Sequence, residues 1–594
     1  MVRSSAPANG ENRSRHRALL ALSLAVAGWA VYINSLTNPF VYDDYRLIVE
    51  NGALAHPTDL WGVLWHDITR PVVNLSYALD AAIWGLRPLG YHVTNVLLHA
   101  INVLLVFAFA RAMDADARTP RVDTNSSGAA PLASAGPCAL AILTAALFAV
   151  HPMMSQAVGY ISARADLLCA TFTLTAFLTA RRYLLTARPG WAAAGFAAWL
   201  LALGSKEVAA MLPFALLAHQ LLVRSADVER RTARLLYVPM FAVVAVAVGI
   251  RIWLLRQVEY QSGALDWRLA IVAVDAVGHY LRLLLWPSGQ TVFHALMAMD
   301  TLLDVRTCLA FGIIAGVAAV AWWLRRIDRL IPFGLAWFVL FLLPSSALFV
   351  LGRGEALAEH RAYLASVGVL LAGGALFAAV LRRSRADAPA LRWVVVAFAT
   401  VIVLQLGVRT MLRNAVWSNP VGLWQESVDQ APDHWLPHLM LAEALRVQRG
   451  CEAAVPEYQT AIRQRPQETF AYTKMGGCLV DLRRLDEASS AFEELVRIAP
   501  TSADGSTGLA IVAMMQGHPE QSREYLLDAL RRDRSAIVPR QLLASLEEPG
   551  DPATALRLCR EIRQLAPAAA GVEDCIQRIE ERLGREVKSP DPNQ

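Results

Sequence analysis

The sequence contains few charged residues for its length. Only 18% of its 594 residues are Asp, Glu, Lys or Arg, whereas 55% are hydrophobic and the mean hydropathy is +0.38. Soluble domains average about 25% charged and about 45–50% apolar residues. The composition therefore excludes a purely soluble enzyme, and it also excludes a disordered or collagen-like chain. The long apolar runs lie in residues 1–411, whereas 412–594 reads as a soluble helical segment.

Lysine and cysteine are also scarce. Only Lys206, Lys474 and Lys588 stand among 55 basic residues, a bias towards Arg that is typical of a high-GC, bacterial genome. The sequence has no block of basic residues of the kind that would indicate a nucleic-acid partner. The seven cysteines are scattered without a CxxC spacing, which argues against a zinc or thioredoxin-like site. Four of them lie in the soluble segment, where we expect free core thiols, with a disulfide as the alternative.

The apolar runs predict a membrane domain with about 11 crossings, since a crossing helix needs about 20 mostly apolar residues. The Arg-rich stretches can all lie on the cytoplasmic side only if the weakly apolar segment 269–286 does not cross. We expect that segment to be interfacial or re-entrant. The predicted domains are a cytoplasmic tail at 1–17, a membrane domain at 18–411 with its first outer loop at 37–90, a repeat domain at 412–580, and a flexible tail at 581–594.

The soluble segment carries an internal repeat. Pro432, Pro466 and Pro500 are 34 residues apart, and Pro567 follows at close to two further periods. Helical runs closed by Pro at this period are typical of tetratricopeptide repeats. We therefore predict an all-α protein in which a polytopic helix bundle precedes an α-solenoid. Such arrays bind peptides or proteins on a concave face, although a spacer without a partner is the alternative.

Ionisable residues at a membrane are costly and usually functional. The predicted topology places several clusters of them on the outer side, in segments far apart in the sequence. They are Asp43–Asp44, Arg70, His92 with Asn95, Arg164 with Asp166, Lys206–Glu207, and Glu359–His360–Arg361. Adjacent carboxylates can supply a general base, or they can bind a divalent cation such as Mg²⁺ or Mn²⁺. The joint placement indicates an outward-facing cavity for an anionic head group such as a lipid phosphate.

These motifs, in this order before a tetratricopeptide array, resemble the transmembrane and tetratricopeptide-repeat O-mannosyltransferase family and, more broadly, the GT-C glycosyltransferases. The resemblance runs from about residue 30 to the end of the repeats. It rests on Phe40 to Asp44, Arg70–Pro71, Tyr91–His92 with Asn95, His151–Pro152 with Gln156, Arg164 with Asp166, Ser205 to Glu207, Ala358 to Leu364, and Arg413–Asn414 with Trp417.

The resemblance implies transfer of a sugar from a polyprenyl-phosphate carrier on the extracytoplasmic face. Asp43 would be the base and Asp44 its support, while Arg164, Lys206 and Arg361 would hold the phosphate. Residues that would orient donor or acceptor are Arg70, His92, Asn95, Asp166, Glu207, Glu359 and His360. We expect no resident metal, with Mg²⁺ or Mn²⁺ as the open alternative. The family would have Glu-Arg where this chain reads Glu359–His360–Arg361, which puts the position of the basic residue in question.

The predicted function is transfer of a sugar, mannose by resemblance, to Ser/Thr hydroxyls of exported proteins recruited by the repeats. The predicted location is a bacterial inner membrane with a cytoplasmic N-terminus and periplasmic repeats. A glycan or lipid acceptor is one alternative. A non-catalytic scaffold anchored in the membrane is another.

Overall fold

A computed structural model describes residues 8–119, 139–224, 229–258, 267–295, 305–350, 357–387, 389–566 and 571–588. These residues form helices and no strand. The chain divides into two compact units, 1–419 and 420–594, so the boundary lies eight residues after the predicted one. The prediction at Pro567, together with parts of both predicted tails, lies outside the described residues.

The first unit contains fifteen α-helices in its described residues. They are α1 Ala8–Val31, α2 Leu60–His66, α3 Pro71–Trp84, α4 Pro88–Ala117, α5 Ala139–Val150, α6 Ser155–Gly159, α7 Arg164–Thr186, α8 Pro189–Leu203, α9 Leu212–Leu222, α10 Arg230–Val258, α11 Trp267–Leu285, α12 Val305–Leu324, α13 Leu330–Val350, α14 Tyr363–Asp387 and α15 Pro389–Val416.

Six helical segments of the described residues are long and apolar enough to cross a membrane, or up to seven if one bent pair is a single span. Four shorter apolar helices complete the set, and every predicted crossing lies on one of these segments. The predicted count of about 11 is nevertheless not confirmed, because the apolar parts of these four helices, 11–16 residues each, are shorter than the roughly 20 residues that a span needs. Helix α11, on the segment predicted not to cross, is not among the candidate spans.

Prolines and small residues shape the bundle. Pro152 follows α5 and opens a short 3₁₀ turn, and the chain bends there by 53°. Proline cannot continue the helical hydrogen-bond pattern of the preceding helix. Between α13 and α14, a Cβ added to Gly334 would lie 2.2 Å from the carbonyl oxygen of Gly368. Only glycine permits this backbone approach, which is a common device in membrane helix packing.

The second unit is a stack of helix pairs. A single helix, α16 Pro420–Gln430, precedes four pairs, and α25 Val572–Lys588 follows them. The pairs are α17 Trp435–Arg449 with α18 Cys451–Gln464, α19 Thr469–Asp481 with α20 Leu485–Ile498, α21 Asp504–Met515 with α22 Pro519–Arg532, and α23 Val538–Glu547 with α24 Pro552–Leu565.

The first helices of the pairs begin at Trp435, Thr469, Asp504 and Val538, which are 34, 35 and 34 residues apart. This period of paired helices is the tetratricopeptide arrangement that the prolines predicted. Gly476 of α19 packs so closely on α20 that an added Cβ would lie 2.6 Å from the ring of Phe492. Helix α25 continues to Lys588, so the predicted flexible tail begins too early at 581.

The cysteines of the repeat unit are paired. Cys451 is bonded to Cys478 and Cys559 to Cys575, with Cα–Cα distances of 5.1 and 6.4 Å. The expectation of free thiols was therefore wrong. The sequence could not show the pairing, because each disulfide joins neighbouring helices whose packing brings the two thiols together.

Candidate functional site

A polar cavity of about 570 Å³ lies in the first unit, where several loops and turns that connect helices meet. Its walls come from the loop after α1, the loop before α3, the segment from α6 into the first turn of α7, the turn after α8 and the turn before α14. Val292, after α11, and Ser345, in α13, complete the lining. Its ionisable lining is balanced in charge, with four carboxylates, four cations and two histidines. These are Asp43, Asp67, Asp166 and Glu207; Arg46, Arg70, Lys206 and Arg361; and His66 and His360.

Seven of the residues singled out from the sequence line this one cavity: Asp43, Arg70, Asp166, Lys206, Glu207, His360 and Arg361. They come from segments up to 318 positions apart in the sequence. Five others lie outside its lining: Asp44, His92, Asn95, Arg164 and Glu359.

The two aspartates of the first loop have different surroundings. The Asp43 side chain is 39% exposed, and its nearest cation is the exposed Arg46 at 3.8 Å. Asp44 is fully buried, and its carboxylate accepts hydrogen bonds from the backbone N–H of Val41 at 3.0 Å and from the backbone and hydroxyl of Ser162. Burial raises the pKa of Asp44 to about 7, although these hydrogen bonds oppose the shift. Asp43 is thus the accessible member of the pair, and Asp44 is bound into the wall.

Lys206 forms a buried ion pair across the cavity wall. Its ammonium lies 2.8 Å from both carboxylate oxygens of Asp166, in the first turn of α7, and both side chains are nearly inaccessible. Arg70 stands at the N-cap position of α3, where its side chain makes no capping hydrogen bond, and Pro71 is pre-organised for the first helical turn. Among the described residues, no carboxylate lies within ion-pair distance of Arg70. Its guanidinium is therefore available to an anion.

Arg164 does not line the cavity. Its side chain is fully buried, paired with Asp80 at 2.6 Å, and donates to the side-chain oxygen of Asn95 at 2.8 Å and to the carbonyl of Tyr91 at 2.9 Å. The predicted contact of Arg164 with a phosphate is therefore not what the structure shows. Because the sequence reveals that a cation is present but not which carboxylate faces it, Arg164 looked available.

Glu359 is likewise buried and occupied. Its carboxylate accepts hydrogen bonds from Gln290, from the backbone N–H of Thr291 and from His294, at 2.9–3.1 Å. It therefore anchors the segment after α11 to the turn before α14. The next residue, His360, donates its backbone N–H to the side-chain oxygen of Gln156 at 2.8 Å and lines the cavity with Arg361. The predicted orienting role of Glu359 can only be indirect in this arrangement.

His92 and Asn95 face the interior of the bundle, but they do not reach the cavity. His92 Nε2 lies 3.1 Å from the carbonyl oxygen of Asn38, and Asn95 accepts from Arg164. His99, one turn further, contacts the hydroxyl of Tyr363 at 2.8 Å. Direct contact of His92 and Asn95 with donor or acceptor is therefore not supported by their placement.

Sequence reasoning missed Tyr160 and Ser162, which lie beneath the acid pair. They are more than 115 positions from Asp43 and Asp44, and no spacing rule connects the two segments. Arg46, Asp67 and His66 were also missed, although all three belong to the predicted outer loop. No group of three or more His, Cys, Asp or Glu residues with the geometry of a metal site occurs in the described part of the chain.

The fold and the site define an all-helical protein that joins candidate membrane spans and a polar cavity to a tetratricopeptide array. No protein-family model matches the chain. Its curated homologues are protein O-mannosyl-transferases. Tmtc1 of Drosophila melanogaster is 34% identical over 185 residues, which are 29% of this chain and 19% of the relative. Human TMTC4 is 35% identical over 163 residues, 25% of this chain and 21% of the relative.

Drosophila Tmtc3 aligns over 586 residues at 24% identity, covering 85% of this chain and 61% of the relative. The chain thus spans less than two thirds of the length of these curated relatives. Among solved structures, YrrB, a TPR protein with an unusual peptide-binding site, is 18% identical over 27% of this chain and 84% of its own, with a TM-score of 0.22. PilF of Pseudomonas aeruginosa is 19% identical over 31% of this chain and 90% of its own, with a TM-score of 0.23.

Proposed function

We propose that this protein is an integral-membrane glycosyltransferase. It moves mannose from a polyprenyl-phosphate carrier to Ser/Thr hydroxyls of proteins, on the extracytoplasmic face of a bacterial inner membrane. The observation that carries the proposal is the single cavity in which an accessible carboxylate, Asp43, shares the walls with Arg70, Lys206 and Arg361. The homology to protein O-mannosyl-transferases supports the choice of sugar and acceptor.

In the proposed reaction, Asp43 acts as the general base. An acceptor hydroxyl oxygen forms a bond to the anomeric carbon, while the bond from that carbon to the phosphate oxygen breaks and its electron pair leaves with the polyprenyl phosphate. The hydroxyl proton passes to the Asp43 carboxylate. Asp43 suits this role because its side chain is exposed to the cavity, whereas the carboxylate of Asp44 is already occupied by three donors. General-base catalysis typically contributes about 10²–10⁴-fold.

The leaving phosphate gains negative charge in the transition state, and fixed cations lower the barrier by stabilising it. Arg70, Lys206 and Arg361 are the proposed phosphate ligands. Arg70 replaces Arg164 in this set because Arg164 is enclosed by Asp80 and Asn95. Asp166 holds Lys206 at the wall, and Glu207 and His360 line the remaining surface available to sugar or acceptor hydroxyls.

The proposed compartment is supported by the repeat unit. Disulfides form and persist in oxidising compartments such as the bacterial periplasm. The pairs Cys451–Cys478 and Cys559–Cys575 therefore favour an extracytoplasmic repeat array, which agrees with the topology inferred from the Arg-rich stretches. In this proposal the array binds the acceptor protein and raises its local concentration near the cavity.

We also propose that the reaction needs no divalent cation. Two other carboxylates at the site already have partners, Asp44 in Ser162 and Val41, and Asp166 in Lys206. Transfer should then be unchanged by EDTA. A loss of transfer that Mg²⁺ or Mn²⁺ restores would contradict this part of the proposal.

The experiment uses the full chain in proteoliposomes with radiolabelled polyprenyl-phosphate-mannose and an extract of exported proteins. The wild-type enzyme should transfer label to protein, and the transfer rate of the Asp43→Asn variant should be at least about 100-fold lower. Asp433→Asn, an exposed carboxylate of the repeat unit, is the matched control and should retain the wild-type rate. Label on lipid or glycan would change the acceptor class. Folded wild type without any transfer, also with polyprenyl-phosphate-glucose, would favour a scaffold.

A further inference from the structure

One short segment, Tyr160 to Ser162, contacts both members of the acid pair. The backbone N–H of Asp43 donates a hydrogen bond to the hydroxyl oxygen of Tyr160 at 3.1 Å. The carboxylate of Asp44 accepts from the backbone N–H of Ser162 at 2.8 Å and from its hydroxyl. The same segment thus holds the main chain at Asp43 and the side chain of Asp44.

The ring of Tyr160 is itself fixed in a stack of aromatic rings. It lies 6.3 Å from the ring of Tyr42 at an interplanar angle of 26°, and 5.7 Å from that of Trp417 at 24°. Tyr160 and Trp417 are both buried. Offset-stacked rings at these separations attract each other beyond their simple burial. The hydroxyl that meets Asp43 therefore projects from a ring that cannot turn freely.

The backbone next to Asp43 needs such support. Tyr42 has a φ of 52°, in the left-handed region that bulky residues rarely adopt. Unfavourable dihedrals of this kind persist only where the surrounding structure over-determines them, and they cluster at functional sites. The stack on Tyr42 and the hydrogen bond to Asp43 are two contacts that hold this conformation, and both come from Tyr160.

We propose that Tyr160 is a positioning residue for Asp43. Its ring buttresses Tyr42 and its hydroxyl fixes the peptide of Asp43, so that the carboxylate points into the cavity at a constant place. The inference rests on the proposed function, in which Asp43 is the base. Tyr160 lines the same cavity, and in this role it acts on Asp43 through the backbone.

The side chain of Asp43 has little else to hold it. Its only ion pair among the described residues is the 3.8 Å contact with Arg46, whose own side chain is 73% exposed. Exposed pairs of this kind impose weak geometric restraint. The position of the carboxylate therefore depends mainly on the backbone, and a misplacement of about 1 Å can cost about 100-fold in rate.

The test compares Tyr160→Phe with Tyr77→Phe in the full chain, in the proteoliposome assay above. Tyr160→Phe keeps the stack and removes the hydroxyl. We expect kcat to fall about 10- to 100-fold while KM for the polyprenyl-phosphate sugar changes little. Tyr77 is the matched control, since it is also buried and its hydroxyl donates to the carbonyl of Ile161 at 3.1 Å, in the same segment, but contacts neither Asp43 nor Asp44. Tyr77→Phe should keep kcat within about threefold of wild type.

A double variant separates positioning from a general structural defect. On the Asp43→Asn background, Tyr160→Phe should cause no further loss, because its effect acts through the carboxylate that is already gone. Equal losses on both backgrounds would overturn the proposal, as would a wild-type kcat for Tyr160→Phe. If Asp43→Asn itself were fully active, the base assignment and this inference would fall together. If Asp43→Asn is inactive and Tyr160→Phe is active, only the inference fails.

A second variant guards against misfolding of the first. Tyr42→Gly removes the stacked ring and also the unfavourable dihedral, because glycine adopts a positive φ without steric cost. We expect its unfolding midpoint to stay close to that of wild type, because relief of the dihedral offsets the lost stacking, while kcat falls as in Tyr160→Phe. A Tyr42→Gly protein with wild-type kcat would overturn the proposal.

Discussion

The two units of the chain treat charged side chains in opposite ways. In the first unit, Arg164, Asp44, Glu359 and Lys206 are all buried, and all have charged or hydrogen-bonding partners. In the repeat unit, ion pairs such as Arg484–Glu487 are exposed and join residues one helical turn apart. Both units contain many ion pairs, but the pairs in which both side chains are almost fully buried, such as Arg164–Asp80 and Lys206–Asp166, lie in the first unit.

The difference indicates where chemistry takes place. Burying a charge costs desolvation free energy, and the attraction of its partner offsets this cost only if the geometry of the pair is good. Exposed pairs within one helix contribute little. A chain that keeps several buried charges around one cavity therefore retains them for placement. The repeat unit relies instead on apolar helix packing and two disulfides, which suits a module that presents a surface.

The largest effect should follow from removing one buried partner. Arg164→Leu leaves Asp80 buried without its cation, and we expect about 3–5 kcal/mol of lost stability. The measurement is the unfolding free energy of the full chain in detergent. Adding Asp80→Asn should recover much of the loss, because the uncompensated charge is then removed. A single variant as stable as wild type would show that the buried pair is not required.

The pH dependence of stability should reveal Asp44. Burial raises its pKa from the ordinary 3.8 to about 7 in the folded state. Between these values the folded chain holds a proton that the unfolded chain has released, so the stabilisation is complete below about pH 4 and lost as the pH rises through 7. The shift of about three units corresponds to roughly 4 kcal/mol. Asp44→Asn should flatten this slope, whereas Asp433→Asn should leave it intact.

A smaller effect should follow from opening a disulfide of the repeat unit. Cys451→Ser breaks the link to Cys478 between α18 and α19, and closing a loop of this length stabilises by about 2–4 kcal/mol. Hydrogen exchange of α18 and α19 in the full chain measures the loss. Cys308→Ser, in α12 of the first unit, should leave exchange in the repeats unchanged. If α18 and α19 exchange at the same rate in the Cys451→Ser variant as in wild type, the disulfide does not stabilise these helices.

The smallest effect should come from an exposed ion pair. Arg484→Gln removes the cation that pairs with Glu487 at the start of α20. Because both side chains are exposed, we expect no measurable change in the unfolding midpoint or in transfer. A clear loss of stability here would erase the contrast between the two units.

Patterns local in the sequence predicted most of the fold. Apolar runs located every candidate membrane helix, and the spacing of the prolines located the helix pairs of the repeats. The cost of a charge at a membrane was enough to gather Asp43, Arg70, Asp166, Lys206, Glu207, His360 and Arg361, which do line one cavity.

The predictions that were wrong concern the contacts that a residue makes, and not which residues are unusual. Arg164 and Glu359 were identified as unusual, but their occupancy by Asp80 and by Gln290, Thr291 and His294 depends on packing between distant segments. Tyr160 carries no charge, so the same reasoning passed over it. The prediction of free cysteines was wrong for a related reason, since thiols 27 and 16 residues apart meet only once the helices stack.

The position of Asp43 inside a cavity also bears on timing. Its carboxylate lines a cavity built from several chain segments that are far apart in the sequence, so we expect a Ser or Thr hydroxyl to approach from a stretch of acceptor that leaves its own fold. Hydroxyls on a packed helix or a central strand would be held too far away. Under the proposed function, the enzyme would then act during export, before the acceptor folds, and an acceptor that folds quickly would escape modification whatever its sequence.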